Sequence, residues 1–234
     1  MPKLEQPNEK LKAGVAILTN EVTTLQVRAP SIEILIGGPY RGKDGEMHTY
    51  GHAALRVITA TQERIYDFGR YGATTGEFGA EGEGILRVWD KSDPYIAGEN
   101  SYGRATKGFT YLIPNDKAEA IISYYESITA KATIRRSKHP NQKEYKLPTP
   151  YHALSKNCAT VTLDGARLGL PGIEAGQERF NEGRGLGTSE KMAARARNFG
   201  AWPSKIFMPA DVHAMLEGNK ALTPRKVTTY GKQR

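Results

Sequence analysis

From Tyr50 the chain reads Gly51-His-Ala-Ala-Leu-Arg-Val-Ile58, and after a short connection at Thr59 to Gln62 it reads Arg64-Ile-Tyr-Asp-Phe68. Side chains alternate across a strand, so His52, Ala54, Arg56 and Ile58 share one face and Ala53, Leu55 and Val57 the other. Two such runs joined by so short a link are expected to pair as a hairpin. The surrounding segments extend the theme. Ser31-Ile-Glu-Ile-Leu-Ile36 reads as a buried strand ended by Gly37-Gly38-Pro39, and Arg41 to Gly45 as a turn. Gly84 to Trp89 and Thr106 to Ile113 read as two more strands.

Helical periodicity dominates the second half. Pro114-Asn115-Asp116 opens a helix to about Ala132, with Ala118, Ile121, Ile122, Tyr125 and Ile128 on one stripe. Asn157 to Leu168 forms another, ended by Gly169. Ser189 to Asn198 is a short basic helix, and Met208 to about Glu217 a last one. Gly69 to Gly84 has no apolar period and is expected to be a long mobile loop. Residues 135–150 and Gly172 to Gly187 also read as irregular. The sum is an α+β chain, with an antiparallel sheet early packed against helices later. Residues 1–30 read as an N-terminal extension, including a periodic segment at Ala13 to Val27. Residues 31–218 form the one domain. The basic tail 219–234 is expected to be disordered.

Composition narrows the classes. The chain has 234 residues, a formal net charge of +8 and a pI near 9.4. A domain of this size buries a sizeable core. The charge favours an anionic partner such as nucleic acid, an anionic membrane surface or a cell-wall polymer, although no single basic block stands out. No run approaches the ~20 apolar residues that cross a bilayer, so no membrane insertion is expected. The start MPKLEQPNEKLK lacks a hydrophobic segment, so no Sec signal is read there and synthesis in the cytoplasm is expected. The single cysteine excludes an intramolecular disulfide and any multi-cysteine metal cluster.

A lone cysteine is by default a small buried hydrophobe. Cys158 has more to recommend it, because it follows Asn157 at the expected start of a helix. There the free N–H groups and the macrodipole stabilise an anion, lower the thiol pKa and make a nucleophile. His52 opens a strand, where its ring can leave the sheet edge and serve as base. A base needs a partner that fixes its tautomer. Asp67, on the paired strand, is the candidate, with Gln62 and Glu63 as alternatives if the register differs. Tyr50 is placed to line the site or to donate to an oxyanion. Asn157 is grouped with it, and the Cys158 backbone N–H is a further oxyanion donor.

The order Gly51-His52-Ala-Ala-Leu-Arg-Val, then Tyr66-Asp67-Phe68-Gly69, then a distant Asn157-Cys158, resembles the permuted branch of the NlpC/P60 papain-like superfamily. The resemblance covers Ile32 to Leu168, about 60% of the chain. It implies a papain-like fold, with catalytic Cys158 and His52, and Asp67 at the third position. Asp is less typical there than His, Asn or Gln. It further implies cleavage of amide bonds, often in peptidoglycan stem peptides. Acyltransferases and deamidases share the fold. A small basic chain of this kind resembles secreted antibacterial effectors of the type VI system. That implies an immunity protein and a secretion carrier as partners, and action in the periplasm of a target cell.

Other motifs carry less. Gly37-Gly38-Pro39 and Gly183 to Gly187 lack the Gly-Lys-Ser/Thr of a P-loop. His48 and His52 have a spacing that suits zinc only on a helix, so no metal site and no cofactor are expected. Aromatics are not interleaved with basic residues, so no specific nucleic-acid binding is expected. A non-enzymatic basic protein that holds an anionic polymer stays open as an alternative.

Overall fold

The computed structural model describes residues 28–42, 45–72, 74–76 and 80–232. Nearly all of the expected N-terminal extension, with the Ala13 to Val27 segment, lies outside these. The elements in chain order begin with β1 (Ser31–Gly37), β2 (Tyr40–Arg41), β3 (Met47–His48), β4 (His52–Ile58), β5 (Glu63–Gly69), β6 (Thr74–Thr75), β7 (Glu81–Gly82) and β8 (Ile85–Trp89). Then come α1 (Ser92–Ser101), β9 (Thr106–Leu112), α2 (Asn115–Thr129), β10 (Thr133–Arg135), β11 (Gln142–Lys146), β12 (Tyr151–His152) and α3 (Cys158–Gly169). The chain closes with α4 (Thr188–Arg197), α5 (Pro209–Gly218) and β13 (Lys226–Tyr230).

Among the described residues this is an α+β architecture with five α-helices. Eight strands form the main sheet in the order β10-β11-β8-β5-β4-β1-β9-β13. Every neighbouring pair in it is antiparallel. The expected hairpin is β4–β5, in a register that sets Ala54 opposite Asp67. β1 is central and buried along its whole length. Its Glu33 sits there because Arg56 donates to it at 2.8 Å and the Tyr230 hydroxyl at 2.9 Å. A buried charge survives only when paired in this way.

One sheet face carries the larger core. Ile32, Ile34, Leu55, Val57, Tyr66 and Phe109 meet residues of α2, α3 and α5 there. The other face holds a smaller cluster of Leu35, Ala54, Ile65 and Trp89, closed by Tyr95 of α1. Small residues let α3 lie close to the sheet, with Ala159, Gly165, Ala166 and Gly169 all buried. A Cβ at Gly165 would stand 2.5 Å from the Tyr125 hydroxyl and 2.8 Å from Leu55 Cδ2. Tyr125 is held by its stack on Tyr66, with centroids 3.8 Å apart, and by its bond to the Val161 carbonyl at 2.9 Å. Gly165→Ala is therefore expected to destabilise the fold by about 1–3 kcal/mol through overpacking. The urea midpoint should fall with the m-value unchanged.

Four segments differ from the sequence reading. The expected loop at Gly69 to Gly84 carries β6 and β7, which join β12 in a small second sheet. The stretch 135–150 carries β11, which reads as polar because it lies next to the sheet edge, with Glu144 bound to Arg87 at 3.2 Å. The tail expected to be disordered supplies β13, which pairs with β9 from Lys226↔Thr110 to Tyr230↔Thr106. Edge strands need only one apolar face and tolerate lysine, so their patterns are weak. α1 went unread because its ten residues bury little besides Tyr95 and Glu99.

Candidate active site

The end of the sheet where β4 begins and β5 finishes opens into a cleft of about 280 Å³. Gly51 sets up this edge with φ +68, and a Cβ there would meet the Gly37 carbonyl oxygen at 2.7 Å. Only glycine accepts both conditions, so the chain turns sharply and His52 begins β4 in a fixed pose. His52 and Asp67 share the sheet face that carries α1, as diagonal neighbours across the hairpin. His52 Nε2 lies 2.6 Å from Asp67 Oδ1.

Cys158 arrives from the opposite face, as the first residue of α3. The two sides meet because the β4–β5 ladder stops at Ala54↔Asp67, one pair short of the sulfur. The Ala53 N–H beyond that pair donates to the sulfur, and His52 makes a side-chain hydrogen bond to it. With Nε2 held by the carboxylate, Nδ1 is the nitrogen left for the thiol. Cys158 is only 6% exposed, yet it lines the cleft with His52 and Tyr151. It is covered on one side and open to a ligand on the other.

The electrostatics follow from these contacts. Burial alone would raise the Cys158 pKa, but the His52 hydrogen bond and charge and the Ala53 amide outweigh it, and the net shift is downward from 9.0. Burial would lower the His52 pKa, but Asp67 and the sulfur lift it from 6.5 to about 10. Burial would raise Asp67, 2% exposed, but the His52 charge and hydrogen bond together with Arg87 and Tyr71 outweigh it and hold it below its ordinary value of 3.8. These contacts bias the three groups toward a thiolate–imidazolium–carboxylate series.

Two tyrosines complete the site, and neither stood out in the sequence. Tyr71 donates to Asp67 Oδ1 at 2.7 Å and lies 3.3 Å from His52 Nε2. Its ring sits under the Arg87 guanidinium, 3.3 Å from the ring centroid. Tyr71 follows Asp67 by four residues, across a bend whose geometry is not visible in spacing alone. Tyr151 sits within hydrogen-bonding reach of both the Cys158 sulfur and its backbone N–H. Burial and the nearby sulfur raise its pKa, so it stays a proton donor. The Cys158 N–H, which has no intrahelical acceptor at a helix start, is directed at Tyr151 Oη.

The remaining candidates are engaged in other bonds. Asn157, expected near the oxyanion, has its side chain consumed by structure. Its carbonyl oxygen accepts from Thr160 N–H at 3.0 Å, and its amide donates to the Phe207 carbonyl at 2.9 Å and to the Ala153 carbonyl. Thr160 Oγ1 answers by accepting the Asn157 N–H at 2.9 Å, which closes a capping box. Asn157 lines the cleft, and its side-chain bonds position Cys158. Tyr50 lines the cleft, but its hydroxyl is given to Glu190. Glu63 pairs with Arg28 and Arg56 at the far end of β5, and Gln62 belongs to the turn before it. His48 stacks on Tyr40 with centroids 4.6 Å apart and forms one wall of the cleft. No group of three or more potential metal ligands occurs among the described residues. No family model, no curated protein and no solved structure matches this chain.

Proposed function

We propose that the chain is a papain-like cysteine hydrolase of the permuted NlpC/P60 kind. It would cut amide bonds in peptidoglycan stem peptides as a secreted antibacterial effector. The observation that carries the reading is the series Cys158–His52–Asp67, drawn from a helix start and two neighbouring strands and lining an open cleft.

The chemistry runs in two stages. The Cys158 thiolate attacks the amide carbonyl and a carbon–sulfur bond forms. The oxyanion takes hydrogen bonds from the Cys158 N–H and Tyr151 Oη. The carbon–nitrogen bond breaks as His52 Nδ1 gives its proton to the leaving amine. Water then attacks the thioester while His52 takes one of its protons, the carbon–sulfur bond breaks to restore the Cys158 thiolate, and the acid is released. Asp67 holds Nε2–H throughout, which keeps Nδ1 aimed at the sulfur. The net charge of +8 favours approach to an anionic wall.

Purified protein incubated with purified peptidoglycan tests this. Mass spectrometry is expected to find peptide fragments that have gained one water per cut, with a new amine and a new carboxylate. Loss of ammonia alone, or a peptide joined to a new acceptor, would replace hydrolysis by deamidation or acyl transfer. Binding without any product, falling steeply with salt, would leave a basic binding protein.

A further inference from the structure

Four permanently charged side chains line the cleft, Arg70, Arg104, Glu190 and Arg197. Three of them are spoken for. Arg104 donates to Glu99 at 2.7 Å, and Arg197 donates to Glu81. Glu190 accepts from the Tyr50 hydroxyl and from the Gly187 N–H at 2.7 Å. Arg70 differs. It is half-buried, and among the described residues it has no carboxylate or carbonyl acceptor. Its guanidinium instead lies over the Tyr151 ring, 5.5 Å from the centroid. The hydroxyl end of that ring is the one that reaches Cys158.

The backbone around Arg70 is pinned on both sides. Three residues before it Asp67 is fixed by His52, and one residue after it Tyr71 is fixed by Asp67. A guanidinium stacked on an aromatic face keeps its planar fork free for a bidentate acceptor. The fork is therefore held beside the tyrosine that reaches the nucleophile, and among the described residues it is the cleft arginine without a carboxylate partner. We propose that Arg70 anchors a carboxylate of the substrate beside the scissile carbonyl, so that the site takes amides carrying a free acid group next to the bond cut. The assignment rests on the cysteine hydrolase reading and narrows it to one class of substrate.

The single cysteine allows a direct test with two reagents of nearly equal shape, iodoacetate and iodoacetamide. In both, the thiolate displaces iodide, a carbon–sulfur bond forms and iodide leaves with the bonding pair. Only iodoacetate carries the carboxylate. Alkylation of Cys158 is followed by intact-protein mass in the full chain and in Arg70→Gln. The iodoacetate-to-iodoacetamide rate ratio is expected to fall roughly tenfold in Arg70→Gln, the scale of one charge-assisted hydrogen bond. The fall should come from the iodoacetate rate, with the iodoacetamide rate holding. The His52 charge is common to both proteins and cancels in the comparison. A ratio that does not move, or two rates that fall together, overturns the carboxylate anchor while Cys158 remains a reactive thiolate. A wild-type Cys158 no faster than a free thiol with either reagent removes the hydrolase reading, and the anchor with it.

Discussion

Exchange of His52 for alanine is expected to lower amide hydrolysis by about a thousandfold, the scale of a positioned acid–base group. Cys158→Ala should remove the acyl-enzyme altogether. The two variants separate at the thiol. In the parent, the His52 hydrogen bond and charge hold the Cys158 pKa below 9.0 against the opposing effect of burial. Without His52 burial dominates, and the pKa rises above that value. The rate of iodoacetamide alkylation against pH should therefore shift its midpoint upward in His52→Ala. An unchanged midpoint would mean that the ring and the sulfur do not interact, and the proposed mechanism would fail.

Asp67 is expected to give the second large effect, and here the replacement decides its kind. Asp67→Ala leaves the buried His52 without its counter-charge and the Tyr71 hydroxyl without its acceptor. Breaking a buried pair in this way costs about 3–5 kcal/mol, read as a lower urea midpoint. Asp67→Asn keeps an acceptor in place but removes the charge. The fold should hold, and activity should fall about a hundredfold as the imidazolium becomes harder to keep.

The pH dependence of stability separates the two terms of this pair. His52 is raised from 6.5 to about 10, so its contribution is complete below 6.5 and fades as pH rises through 10. Asp67 is held below 3.8, so its contribution is complete above 3.8 and fades as pH falls through the lower folded value. The parent should show a broad stability plateau between those limits. Asp67→Asn should lose the alkaline shoulder first, since the group that lifts His52 is gone. Urea midpoints measured across pH check this, and a shoulder that survives in Asp67→Asn would mean that Asp67 does not set the charge of His52.

Much of this arrangement can be read from local pattern, and the rest depends on contacts that pattern does not carry. Ala53 to Ile58 reads as a strand because β4 is central and covered on both faces, which makes its run nearly continuously apolar. The start of α3 is written in Asn157 and Thr160, whose side chains cap it reciprocally. The strands near the two edges of the sheet hide, because Lys226 to Tyr230 and Gln142 to Lys146 need not be apolar to pair. Tyr71 and Tyr151 hide for another reason. Each is an ordinary tyrosine in a segment rich in glycine or proline, and its role is set by distances to Asp67 and Cys158. Adjacency of Asn157 to Cys158 does not tell where its amide points, and in the structure the cap holds it at the cleft wall.

The helix that bears the sulfur packs on one face of the sheet and the ring stands on the other, with β6 to β12 intervening in the chain. Until that long loop has closed, the thiol is a common alkyl thiol of ordinary acidity, without a proton acceptor. Contacts of such sequence separation form late and slowly. The lowered pKa of the sulfur thus belongs to the folded chain alone, and it arises together with the cleft that surrounds it.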